Sequence, residues 1–164
     1  MEPEVAEGVT LAKALSIKNR LAGRLAQAKG NVETFNSVLA GQKEEGTSTV
    51  DVRVEYTRFL ALQEALVVVK AAIQKSNVPI SEEILRLAEK KALLSMLNGL
   101  NTKHGTEPGY GGAEYRYVAT IQKPEVLEIV RRVEVEIDAT QDALNQFNAS
   151  TTVEIARAVL DLAR

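Results

Sequence analysis

The spacing of aliphatic side chains is the feature that most constrains the fold of this sequence. Leu11, Ala14, Leu21, Leu25 and Ala28 follow one another at intervals of three, four or seven residues. Such heptad spacing places an apolar stripe along an α-helix, and that stripe must be hidden against a neighbour. Similar stripes recur along the chain, at 11–39, 52–73, 84–96 and 126–147. We therefore expect an all-α fold, an antiparallel bundle of long heptad-patterned helices that forms a single domain over residues 1–164.

Polar, glycine and proline residues predict where these helices begin and end. Residues 1–9 are polar or small, and we expect a disordered N-terminus. Thr10 can cap a first helix that starts at Leu11, because its hydroxyl can accept a hydrogen bond from a free backbone N–H. Residues 41–48 have the composition of a loop, and a second helix starts near Asp51.

Similar signals divide the second half of the chain. Pro79 ends the second helix, because the residue before a proline disfavours the α conformation. Ser81 is placed to cap a third helix, and Pro124 to open a fourth. Thr151 and Glu154 have the spacing of a capping box, which predicts a short C-terminal helix within 151–164.

An irregular arm is expected over residues 101–123, between the third and fourth helices. Within it, Tyr115, Tyr117, Ala119 and Ile121 alternate with other residues, which predicts a short strand or extended segment over 114–121. A single strand needs a partner. We expect this strand either to pair with the same strand of another copy or to lie across the bundle.

Composition narrows the classes of function. The chain has 164 residues, no cysteine and a formal net charge of −2. The absence of cysteine excludes disulfides, thiolate chemistry and cysteine-based zinc sites. The balanced charge gives no field that would attract nucleic acid, and no apolar run is long enough for a membrane span. We expect a soluble, cytoplasmic protein without a cofactor.

The arm holds the residues that we consider as a ligand site or an interface: His104, Tyr110, Tyr115 and Tyr117. His104 could act as a general base or metal ligand, or it is simply a solvated loop residue. The three tyrosines could stack on a ligand, or they cover the end of the bundle or an interface. The lone histidine lies in a loop, so the inward-facing carboxylate and histidine pattern of di-metal bundles is absent. No metal site is predicted.

Three segments resemble those of a known family. They are LAKAL at 11–15 with Arg20, IQKSN at 73–77 and LNQFN at 144–148. In order and spacing they are similar to segments of the septicolysin-like helical proteins of bacteria, although two polar positions and a tryptophan of that pattern differ. The resemblance covers most of the chain after residue 9 and implies a helical fold. It implies no catalytic residue.

Three functions follow as hypotheses. The first is a non-enzymatic structural or interaction protein that self-associates, because long narrow apolar seams expose more surface than one small bundle covers. The second is a small-molecule-binding or enzymatic bundle with its site in 103–121. The third is a membrane-active toxin, as the family name suggests.

Overall fold

The computed structural model describes residues 6–37 and 50–164, and it shows a mostly α-helical protein with two small antiparallel sheets. The helices are α1 (Leu11–Phe35), α2 (Val52–Asn77), α3 (Ser81–Asn98), α4 (Lys123–Ser150) and α5 (Arg157–Leu162). The strands are β1 (Ala6–Thr10), β2 (Gly105–Pro108), β3 (Glu114–Tyr117) and β4 (Thr152–Ala156). A short 3-10 turn, Val78–Ile80, separates α2 from α3.

The chain divides into two compact units. Unit 1 contains residues up to Pro79 and from Phe147 to Arg164, and unit 2 contains Ile80–Gln146. Two units of one chain can belong to one domain or to two. The single-domain interpretation therefore stays a prediction.

Unit 1 has one core, in which α1 and α2 pack along each other. Leu11, Ile17 and Leu21 of α1 and Leu62 and Val69 of α2 are almost completely buried there. The end of α1 meets the beginning of α2, where the Asn31 Nδ2 donates to Glu55 Oε2 at 3.0 Å. The apolar seams predicted for these two helices therefore form the core of unit 1, while residues 38–49, with the predicted loop, lie outside the described residues.

The caps of these helices follow from short polar side chains. The Thr10 hydroxyl accepts a hydrogen bond from the Lys13 N–H at 3.2 Å, as predicted. The Asp51 carboxylate accepts from the N–H groups of Arg53 and Val54 at 2.9 and 3.2 Å. For α3 the predicted cap is wrong, because Ser81 is the first helical residue and Ile80 occupies the cap position.

The sheet of unit 1 corrects two predictions. Residues 6–9 are not disordered, because β1 pairs antiparallel with β4, in a register that places Gly8 opposite Glu154. Residues 152–156 are a strand and not part of a C-terminal helix, which is confined to α5. Alternation explains the strand, since Val153 and Ile155 point into the core while Thr152 and Glu154 are exposed. Residues 1–5 lie outside the described part of the chain.

Unit 2 contains α3, a β-hairpin and most of α4. Val126, Val130 and Val133 of α4 share a small apolar cluster with Leu97 of α3, and Lys90 pairs with Glu136 at 3.1 Å. The predicted strand exists over Glu114–Tyr117, but residues 118–121 lie beyond it. Its partner within the chain is β2, and pairing with a second copy stays a prediction.

Candidate functional site

The β2–β3 hairpin brings two of the four candidate residues onto one strand. Tyr115 lies opposite Glu107 and Tyr117 lies opposite Gly105. Tyr110 lies in the turn and is 99% exposed. The turn needs glycine at 111 and 112, because their φ angles of 73° and 83° are in the left-handed region. We call residues 103–119 the tyrosine hairpin.

The turn of the tyrosine hairpin is closed by one backbone bond and one aromatic ring. The Gly109 N–H donates to the Ala113 carbonyl at 2.6 Å. The Tyr115 ring lies so close to Gly109 that a Cβ at this position would collide with it. Tyr115 is therefore half-exposed and packs against backbone, while Tyr110 touches water all round.

Lys103 contacts both strands of the hairpin, through Glu107 of β2 and Tyr117 of β3. Its Nζ lies 2.8 Å from Glu107 Oε2 and 5.0 Å from the centre of the Tyr117 ring. The hydrogen bond to Glu107, and then the charge of that carboxylate, raise the pKa of Lys103 above its ordinary value. Lys103 therefore pairs with Glu107 as a cation at neutral pH.

His104 is engaged by the backbone of the hairpin. Its Nδ1 accepts a hydrogen bond from the Ala119 N–H at 3.2 Å. A lone pair used in this way is not free to bind a metal ion or to abstract a proton. Within residues 6–37 and 50–164 no group of three or more side chains could hold a metal ion. The polar groups of the hairpin therefore hold each other in place.

A second candidate surface lies on α3, which has apolar residues on two sides. Leu87 and Leu97 are buried, but Leu85 is 66% and Met96 is 53% exposed. Since each residue turns a helix by about 100°, Leu85, Leu93 and Met96 fall within about 80° of one another, on a different side from the buried Leu87 and Leu97. We call Leu85, Leu93 and Met96 the outer face of α3. Leu85 and Met96 are therefore exposed, although both lie within the apolar stripe predicted at 84–96.

The two units also differ in how many apolar residues they bury and expose. The described part of unit 1 buries fifteen apolar residues and exposes six large ones, whereas unit 2 buries six and exposes eleven. Those eleven are Ile84, Leu85, Leu93, Met96, Leu100, Tyr110, Tyr115, Val118, Ile121, Leu127 and Val135. Unit 2 therefore exposes nearly twice as many large apolar side chains as it buries.

The sequence contains a signal for the outer face of α3 that heptad spacing alone does not reveal. Adjacent apolar pairs occur at 84–85, 93–94 and 96–97. Neighbouring residues on a helix point about 100° apart, so such pairs indicate two apolar faces and not one wide face. On α2 the same effect leaves Tyr56, Leu60 and Val67 exposed, on the side away from the core.

Comparison with known proteins gives no relative. No protein-family model, no curated protein and no solved structure matches this sequence significantly. The resemblance to the septicolysin-like proteins therefore stays a prediction. No helix in the described part of the chain is long and apolar enough to cross a membrane.

Proposed function

We propose that this chain is a non-enzymatic structural or interaction protein, and that it works as a homo-oligomer of helical bundles. The observation that carries the proposal is the outer face of α3, formed by three large exposed apolar side chains on a unit with few buried ones. Large exposed apolar side chains gathered on one side of a helix are typical of protein interfaces. Interfaces of homo-oligomers are also the most apolar ones.

The small core of unit 2 favours a second copy of the same chain as the partner. Six buried residues give unit 2 a small core, and small units commonly gain the missing core by association. Residues that pack along a helix at intervals of three and four suit another helix of the same kind. Covering both faces of α3 would complete a bundle of the heptad type expected from the sequence.

The tyrosine hairpin does not favour the alternative of an enzyme or a small-molecule site. Lys103 is paired with Glu107, and the Nδ1 of His104 is hydrogen-bonded to the backbone. The hairpin also exposes Tyr110, which makes it an additional contact for a partner, since tyrosine is common in interface hot spots. The cytoplasmic location and the membrane-active alternative stay predictions.

Multi-angle light scattering of the purified full chain tests the proposal. We expect a mass of at least twice the 17.8 kDa of the chain at micromolar concentrations. The double variant Leu85→Gln, Met96→Gln removes two apolar side chains from the outer face of α3 without adding charge. If each loses about 1–2 kcal/mol of burial, the dissociation constant rises about tenfold or more.

A matched control is available on α1, where Ala22 and Ala26 are exposed and have the i, i+4 spacing of a helix surface. The variant Ala22→Gln, Ala26→Gln should keep the mass of the natural protein, because glutamine is a good helix former and α1 has no exposed large apolar side chain. A strict monomer of 17.8 kDa throughout the micromolar range would contradict the proposal.

A further inference from the structure

The two units carry opposite charges on their helices. Helix α1 has five basic residues and one acidic residue. The stretch 133–150 of α4 has four acidic residues and no basic residue. The basic helix belongs to unit 1, and the acidic residues lie in the part of α4 that belongs to unit 2. One chain therefore presents both halves of a complementary pair.

The basic half is a short row of exposed side chains on α1. Lys13 and Arg20 are exposed, and seven residues place them on nearly the same side of the helix, about 10 Å apart along its axis. Neither makes an ion pair with any described residue. Lys13 lies in the first turn, where a positive charge opposes the helix dipole. The charge of Lys13 therefore does not stabilise α1.

The acidic half is a row on α4. Glu134, Asp138 and Asp142 are exposed, and their i, i+4, i+8 spacing gives a row about 12 Å long. Among the described residues, these three carboxylates also make no ion pair, whereas the neighbouring Glu136 is paired with Lys90. The two rows are thus similar in length and opposite in charge, and neither is paired with a charge among residues 6–37 and 50–164.

Resting on the proposed self-association, we infer that the basic row of one copy (Lys13 and Arg20) binds the acidic row of a second copy (Glu134, Asp138 and Asp142). Complementary charges at the rim of an interface fix its orientation and raise the association rate. In a two-fold dimer this contact occurs twice, basic row against acidic row in both directions, whereas without a two-fold axis it joins copies head to tail into a ring or a filament.

A charge-swap experiment tests the inference. In the basic-row variant, Lys13→Glu and Arg20→Glu are combined. In the acidic-row variant, Glu134→Lys and Asp138→Lys are combined. Each variant alone should have at least a tenfold weaker self-association in light scattering, because each places like charges across the contact. An equimolar mixture should recover the mass of the natural protein, since both of its contacts then join opposite charges. Circular dichroism checks that each variant stays helical.

The control changes the same amount of charge elsewhere. Lys70 and Lys75 are exposed on α2, and Lys70→Glu, Lys75→Glu should leave the mass of the oligomer unchanged. The association of the natural protein should also weaken as salt rises from about 50 to 500 mM, because exposed charges are screened within a few ångströms at the higher value.

Several results would overturn the inference. If both swapped variants self-associate as the natural protein does, the rows are not the contact, while the proposed homo-oligomer stands. If the variants change the melting temperature and not the mass, the rows meet within one copy. If Lys13→Glu, Arg20→Glu abolishes binding to heparin or to anionic vesicles and leaves the mass unchanged, the basic row serves another partner. A natural protein that is monomeric overturns both proposals.

Discussion

Units 1 and 2 use the same heptad spacing with opposite results. In unit 1 the seams of α1 and α2 meet each other, and the β1–β4 sheet adds Val153 and Ile155 to one continuous core. In unit 2 the seam of α4 meets only one side of α3, and the second side of α3 stays in solvent. The spacing of apolar residues thus fixes which residues must be covered. The spacing does not fix whether the residues that bury them belong to the same chain or to another copy.

The largest effect should come from the core of unit 1. Leu21 has no exposed surface, and Leu21→Ala should lower the free energy of unfolding by about 4 kcal/mol, because it leaves a cavity among rigidly packed neighbours. Urea denaturation followed by circular dichroism measures this loss. A loss below about 1 kcal/mol would mean that the core of unit 1 is not tightly packed.

The same substitution in unit 2 should cost less. Leu97 is buried in a smaller cluster, so Leu97→Ala should lower stability by about 2 kcal/mol, near the low end for this change. Hydrogen exchange should show the faster opening in α3 and α4 and leave the amides of α1 and α2 protected. Equal acceleration in both units would show that they unfold together and would break the comparison.

The N-terminal caps of α2 and α3 also differ, and we expect a smaller effect on stability there. Asp51 accepts two backbone hydrogen bonds at the start of α2, and Asp51→Ala should cost about 1 kcal/mol. Asp51→Asn, which keeps an acceptor oxygen, should lose much less in the same denaturation assay. Helix α3 has Ile80 at its cap position and no side-chain bond there, in agreement with its dependence on packing.

Substitution of Tyr115 in the tyrosine hairpin should change only its immediate surroundings. Tyr115→Leu removes the ring that lies against Gly109, and we expect the α-proton resonances of Gly109 to lose their ring-current shift in NMR spectra. Global stability should change by less than about 0.5 kcal/mol, as for most surface sites. Tyr110→Leu is the matched control, and resonances of Gly109 that move equally in both variants would contradict the packing of Tyr115.

The smallest effect concerns Lys103, whose pKa is raised by Glu107 above the ordinary 10.5. A raised pKa in the folded state means that the contribution of the ion pair is complete below the unfolded pKa and is lost as pH rises through the folded value. Lys103→Gln should therefore speed amide exchange in β2 and β3 slightly near neutral pH. The variant should match the natural hairpin once Lys103 is deprotonated. A difference that persists at that alkaline pH would contradict the role of the charge.

Sequence reasoning predicts the helices well because periodicity is a local property. The seams of α1, α2 and α4 contain the buried residues Leu21, Leu66 and Val130, as expected. It missed the β1–β4 sheet, because this pairing joins residues 6–10 to residues 152–156, and nothing local reveals a partner that distant. The helical capping-box pattern of Thr151 and Glu154 also competed with the alternation of Val153 and Ile155.

The candidate site was predicted less completely. The four candidate residues do lie in or next to one hairpin, but β2 has no apolar alternation that would identify Gly105–Pro108 as a strand. The exposure of Leu85 and Met96, within the stripe predicted at 84–96, was not predictable, because heptad spacing does not tell how wide a stripe one neighbouring helix can cover. Which residues another copy covers is a property of the assembly and not of local spacing.

Radical footprinting of Met96 tests the central claim most directly. Met96 lies on the outer face of α3 and is 53% exposed in the single chain. If copies cover this face, oxidation of Met96 should be fast at nanomolar concentration and strongly reduced at tens of micromolar, and the Leu85→Gln variant should weaken that protection. Oxidation of Met96 at the same rate at both concentrations would show that the face stays in water, and would contradict the account.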